Sequence, residues 1–198
     1  MRLVVLASGN GTNLQAVIDA TGLPGLRIVA VFSDKPAAYA LERARVAGIP
    51  ALLLPCEKGT PRAAYDASLA DAVSEFDPDY IFLLGWMRIL TDSFLTRFAG
   101  KVINLHPALP GTFAGTHAIE RALEAYRSGT IDRTGVMTHY VPDEGVDCGP
   151  VLRVAEVPIL AGDTLETLEE RVHETEPRVV LETLEAMQYK IKKTARQL

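Results

Sequence analysis

Cysteine is scarce in this chain. Cys56 and Cys148 show no Cys-x-x-Cys spacing and no histidine pattern around them. That excludes a zinc module, a thioredoxin-like redox motif and a disulfide framework, and it fits a reduced, cytoplasmic protein. Long apolar runs are lacking too. The first, residues 3–7, is too short to cross a membrane and gives way at once to Ser8-Gly9-Asn10-Gly11, so it reads as a buried strand and not as a signal or anchor. Basic charge is in deficit: 20 Lys and Arg against 25 Asp and Glu leave a formal net charge of −5, which is no footprint for nucleic acid. There is no internal repeat, low-complexity segment or linker. The glycine loop after the first strand lacks the Lys-Ser/Thr ending of a P-loop, and Leu14 stands where a dinucleotide fingerprint needs its third glycine. What remains is an ordinary globular composition over 198 residues, enough for one domain with a sizeable core.

Short apolar, β-branched runs recur at residues 3–7, 28–32, 51–54, 80–84 and 102–106, separated by stretches of helical composition. Strands of this kind are buried on both faces, and their spacing predicts right-handed βαβ units and a parallel sheet. Residues 134–141 and 151–157 flank an acidic, glycine-rich loop, a pattern that suggests an antiparallel hairpin. Residues 164–175 are amphipathic, with Thr164 as a candidate N-cap; Pro177 is expected to interrupt, and residues 178–187 to resume as helix. Residues 188–198 are basic and polar and are expected to fray.

Three stretches carry candidate chemistry. The first is the strand–glycine loop–helix at residues 3–18, where glycines let the backbone approach an anion and a helix N-terminus offers free N–H groups; a bare glycine turn would look the same. The second is Gly85-Trp86-Met87-Arg88-Ile89-Leu90 at another strand exit. These residues either wall a pocket for a flat aromatic ligand or cap the core. The third is Asn104-Leu105-His106-Pro107. Residues two apart on a strand share a face, and Pro107 ends the strand, so Asn104 and His106 aim at one spot on the carboxyl edge of the sheet. An amide donor beside an imidazole suits acyl or formyl transfer, the amide stabilising an oxyanion and the ring moving a proton. A turn followed by a hydrogen-bonded loop histidine fits the same letters. A carboxylate from the acidic loop, if it lay near His106, would favour the charged ring.

Taken in order, residues 8–14, 85–90, 104–107 and 143–150 resemble the folate-dependent formyltransferase family, in particular its phosphoribosylglycinamide branch, over residue 1 to about residue 187. The resemblance implies an α/β, Rossmann-like three-layer fold with a mostly parallel central sheet and an antiparallel hairpin in the C-terminal half. It implies one domain over 1–198, with a phosphate-binding half to about residue 100, a catalytic and folate half over about 101–187, and a frayed tail. The implied reaction moves a formyl group from 10-formyltetrahydrofolate, as co-substrate and without a metal, to the amine of glycinamide ribonucleotide in purine synthesis. Asn104, His106 and Asp147 would be catalytic. Gly11, Thr12, Asn13 and Glu176 would hold the ribonucleotide. Arg62, Met87, Arg88, Ile89, Leu90, Asn104, Val141 and Asp143 would hold the folate, with main chain of residues 141–147 reading the pterin. The partners would be these small molecules only, with no nucleic acid and no membrane, and the protein a monomer or weak homodimer.

The departures from the family pattern are local. Pro110 comes one place early, Thr112 replaces a basic residue, Ala114 replaces a proline, and Trp86 stands where phenylalanine is common. The loop at residues 108–117 is therefore where the resemblance says least. Other formyltransferases of the family carry an added domain or lack the residue 8–14 loop. A cysteine acyl-hydrolase built on Cys148 and His106, or a phosphoribosyl-binding module without catalysis, are the rivals from other classes.

Overall fold

The computed structural model of the chain describes residues 1–20, 23 and 25–195. The elements are β1 (Arg2–Leu6), α1 (Thr12–Asp19), β2 (Arg27–Ser33), α2 (Tyr39–Val46), β3 (Ala51–Leu53), α3 (Arg62–Ser74), β4 (Tyr80–Leu83), α4 (Asp92–Leu95), β5 (Val102–His106), α5 (Ala118–Arg127), β6 (Arg133–Tyr140), β7 (Val151–Pro158) and α6 (Leu165–Ala195). They build one seven-stranded sheet in the order β3-β2-β1-β4-β5-β6-β7. The first five strands are parallel, whereas β5–β6 and β6–β7 pair antiparallel. The expected mostly parallel sheet with an antiparallel hairpin in the C-terminal half is what forms.

The alternation of side chains along each strand makes two cores. Leu3 and Val5 of β1 pack with α1, α2, α5 and α6 on one face. Val4 and Leu6 pack with α3 and α4 on the other. Three layers result, and no strand between β2 and β5 has an open face, which is why those runs read as continuously apolar. The direction of winding reverses between β1 and β4, so the carboxyl ends of these two strands diverge into a crevice where α/β proteins place ligands.

Gly11 is the N-cap of α1 with φ +76°. A Cβ there would lie 2.8 Å from the Ala40 Cβ. Glycine is thus required for the left-handed turn and for the approach of α2, besides any anion it serves.

One local expectation is corrected. Pro177 does not divide the last helix: α6 is continuous across it. Its apolar face, with Leu168, Val172, Val179, Val180 and Leu184 fully buried, holds the helix together in spite of the hydrogen bond the proline cannot make. From residue 188 the chain continues in α6 as far as Ala195; residues 196–198 lie outside the described residues. Thr91 stands at the N-cap of α4 but makes no side-chain cap. Its own N–H donates to the buried Asp66 carboxylate at 2.6 Å instead. Thr164 does cap α6, its Oγ1 accepting from Thr167 N–H at 3.2 Å.

Candidate active site

The carboxyl ends of β4 and β5 open into a cavity of about 450 Å³, within the range that holds drug-sized ligands. The segment after β4 forms one wall. Trp86 and Leu90 are buried, whereas Met87 and Ile89 are exposed toward the opening, so the segment both caps the core and lines the pocket. Val141, Asp143 and Val146 face it from the loop after β6, and Asn104, His106 and Asp147 close its floor.

Those three side chains meet although the acidic loop is far away in sequence. Asn104 and His106 share one face of β5, as their spacing requires. Asp147 adopts the left-handed conformation, φ +52°, which turns its carboxylate inward to 8% side-chain exposure. Its Oδ1 accepts from Asn104 Nδ2 at 2.9 Å, and its Oδ2 from the Gly115 N–H at 2.8 Å. His106 Nδ1 lies 3.2 Å from Oδ2. The other ring nitrogen, Nε2, lies 3.2 Å from the Phe113 carbonyl.

Burial drives the pKa of His106 below the usual imidazole value, and the Asp147 charge and the Phe113 carbonyl oppose that without overcoming it. The expectation of a net rise is corrected here: the carboxylate is where it was expected, but the ring loses more hydration than the carboxylate returns. For Asp147, burial pushes upward, yet hydrogen bonds from His139 and Gly115 and the pull of His106 win and hold the carboxyl below its ordinary range.

His139 is the residue that sequence analysis missed. It pairs across the antiparallel ladder with Asn104, and its Nε2 sits 3.3 Å from both Asn104 Nδ2 and Asp147 Oδ1. The Tyr140 carbonyl lies 2.9 Å from its Nδ1. The only sequence signal was a histidine inside an expected strand; its partner depends on register, which the strand alone does not reveal.

The ribonucleotide candidates form a second cluster outside the lining of the cavity. Thr12 opens α1, and Asn13 Nδ2 donates to Glu176 Oε2 at 2.7 Å. Glu176 is buried and also pairs with His173 at 3.2 Å, which raises the His173 pKa chiefly through that hydrogen bond. Ser8, in the loop after β1, braces the cavity wall: its Oγ donates to the buried Asp34 at 2.7 Å and accepts from Met87 N–H at 3.1 Å.

Two folate candidates point elsewhere than expected. Arg88 lines the cavity, but its guanidinium is directed to Asp34, Cys56 and the face of Tyr65. Arg62 lies at the start of α3, outside the lining, and bonds the Ile89 carbonyl and Glu144, each at 3.3 Å. Cys148 is exposed and outside the cavity, so no cysteine–histidine pair forms with His106. Among the described residues no group of histidine, cysteine and carboxylate side chains is arranged to hold a metal ion.

The formyl transferase family model matches residues 1–184. A phosphoribosylglycinamide formyltransferase of Schizosaccharomyces pombe is 46% identical, covering 92% of this chain and 94% of its own. That of Dictyostelium discoideum is 42% identical, covering 95% and 98%. Among solved structures, phosphoribosylglycinamide formyltransferase from Bacillus halodurans superposes with a TM-score of 0.87 at 35% identity, over 94% of this chain and 95% of that one.

Proposed function

Because the chain belongs to the formyl transferase family, we propose that it performs the reaction its relatives are named for. It transfers a formyl group to the primary amine of glycinamide ribonucleotide, with 10-formyltetrahydrofolate as donor and tetrahydrofolate as the second product, in purine biosynthesis. The observation that carries this reading is the meeting of Asn104, His106 and Asp147 at one wall of a cavity whose other walls are largely apolar.

The amine attacks the formyl carbon, and the carbonyl oxygen becomes an oxyanion. Asn104 has a hydrogen to offer: one is taken by Asp147, and the other faces His139 at a loose 3.3 Å. His106 Nε2 meets only a neutral carbonyl, a weaker acceptor than an oxyanion. Both groups therefore bind the tetrahedral species better than the ground state, the condition for catalysis. The ring that burial keeps neutral, its one proton on Nδ1 toward Asp147, first takes on Nε2 the proton the amine sheds on attack, and the Nε2–H so formed donates to the oxyanion. Beside Asp147, the ring then returns that proton to the departing folate nitrogen.

Met87, Ile89, Leu90, Val141 and Asp143, with main chain of residues 141–147, suit the pterin. Arg88 shapes that wall from behind. Arg62 suits the carboxylates of the folate tail, exchanging Glu144 for them. Gly11, Thr12, Asn13 and Glu176 take the phosphoribosyl part, with free N–H groups at the start of α1 for the phosphate. The protein works in the cytoplasm on these small molecules, as a monomer or weak homodimer. Mixing it with glycinamide ribonucleotide and a 10-formylfolate is expected to release the deformylated folate in step with the ribonucleotide consumed. Release without ribonucleotide, or none at all, overturns the reading.

A further inference from the structure

The loop at residues 108–117 is where the family pattern is least followed, yet it supplies two contacts to the catalytic groups. The Phe113 carbonyl meets His106 Nε2 at 3.2 Å, and the Gly115 N–H donates to Asp147 at 2.8 Å. Its backbone is under strain. Gly111, Phe113, Gly115 and His117 all have positive φ, at +76°, +48°, +82° and +57°. For the two residues with a side chain this costs on the order of 1–3 kcal/mol each, and such conformations persist only where surrounding contacts enforce them.

Arg121 is the enforcing contact. From the first turns of α5 its Nη2 donates to the carbonyls of Phe113, Ala114 and Thr116, at 2.6, 2.7 and 3.0 Å. The guanidinium also lies over the Phe113 ring, 5.9 Å from its centroid. These donors go to main-chain oxygens, and Arg121 is not among the residues lining the cavity. An arginine spent in this way organises backbone. Drawing three carbonyls to one side leaves the intervening Gly115 N–H facing the other way, toward Asp147.

We propose that Arg121 is a positioning residue for formyl transfer: it clasps residues 113–116 and so aims the Gly115 N–H at Asp147 and the Phe113 carbonyl at His106. The inference rests on the formyl-transfer reading above. Thr112 and Ala114 stand where the family has a basic residue and a proline, and Arg121 provides from the next helix a restraint that those positions do not.

The test compares Arg121→Ala and Arg121→Lys with the wild type in the formyl-transfer assay, together with amide hydrogen exchange at Gly115. Arg121→Ala is expected to lower kcat by tenfold or more, toward the roughly hundredfold that small misplacements of reacting groups cost. KM for both substrates should stay nearly unchanged, and Gly115 exchange should quicken. Arg121→Lys, which keeps a cationic donor, should restore part of both. A kcat unchanged or raised in Arg121→Ala, or Gly115 protection equal to wild type, overturns the proposal. Inactive wild-type protein would fail the functional reading instead, and the exchange measurement would still decide whether the clasp exists.

Discussion

Asp147 has two carboxylate oxygens and four neighbours: Asn104, His139, Gly115 N–H and His106. This division of labour ties the amide, the ring and the loop to one charge. Asp147→Asn keeps the shape and removes the charge. His106, already lowered by burial, loses the interaction that holds its pKa up, so NMR titration should place it lower still, with a steep fall in turnover near neutral pH. The same His106 pKa in both proteins would strike Asp147 from the site. Asn104→Ala removes one oxyanion donor, and turnover should drop about a hundred- to a thousandfold, or roughly 2.7–4 kcal/mol of barrier. Its melting temperature should move far less, since Asn104 contributes no apolar packing; near wild-type turnover would mean the oxyanion is held elsewhere.

At the scale of the element, α6 shows tertiary packing overriding local chemistry. Pro177 lies in the interior of a helix of 31 residues and cannot donate to the carbonyl of His173. Packing against the sheet compensates for the missing bond. Pro177→Ala should therefore stabilise the protein, by up to about 3 kcal/mol, measured by denaturant unfolding. A loss of stability would mean that the proline bends α6 to bring Glu176 to Asn13. Turnover at saturating substrate separates the two effects, because relief of a missing bond leaves it unchanged.

For the whole molecule, the position of the site follows from the sheet. The reversal between β1 and β4 opens the crevice, and the antiparallel β6 brings His139 and the acidic loop back over β5. Burying an imidazole there has a consequence for stability. The folded His106 binds protons less readily than the unfolded chain, so unfolding takes up protons at and below the ordinary histidine pKa of about 6.5. The contribution is fully present above that pH and is lost as pH falls through it. His173 has the opposite sign, its raised pKa favouring the fold below that value. It is more than half exposed, at 57%, and solvent screens it, so His106 should dominate. Asp147 acts in a lower window: its depressed pKa stabilises the fold above the ordinary carboxylate value and is lost in stronger acid. Urea unfolding at pH 7.5 and 5.5 should show lower stability at 5.5, and His106→Gln should flatten the difference. An equal difference in the variant would place the acid sensitivity elsewhere.

The sequence by itself determined the layered α/β architecture, the parallel run of strands and the returning hairpin, because buried strands must be apolar and helices between them must be amphipathic. It also put Asn104 and His106 on one face, since a strand repeats every two residues. Only the tertiary structure decided what surrounds them. The pairing of Asn104 with His139 depends on antiparallel register, and the carbonyls gathered by Arg121 depend on how a strained loop meets the next helix. The direction of the His106 pKa depends on how much water the assembled cavity excludes. Each is a relation between segments far apart in the chain, set by packing in three dimensions and invisible to local periodicity.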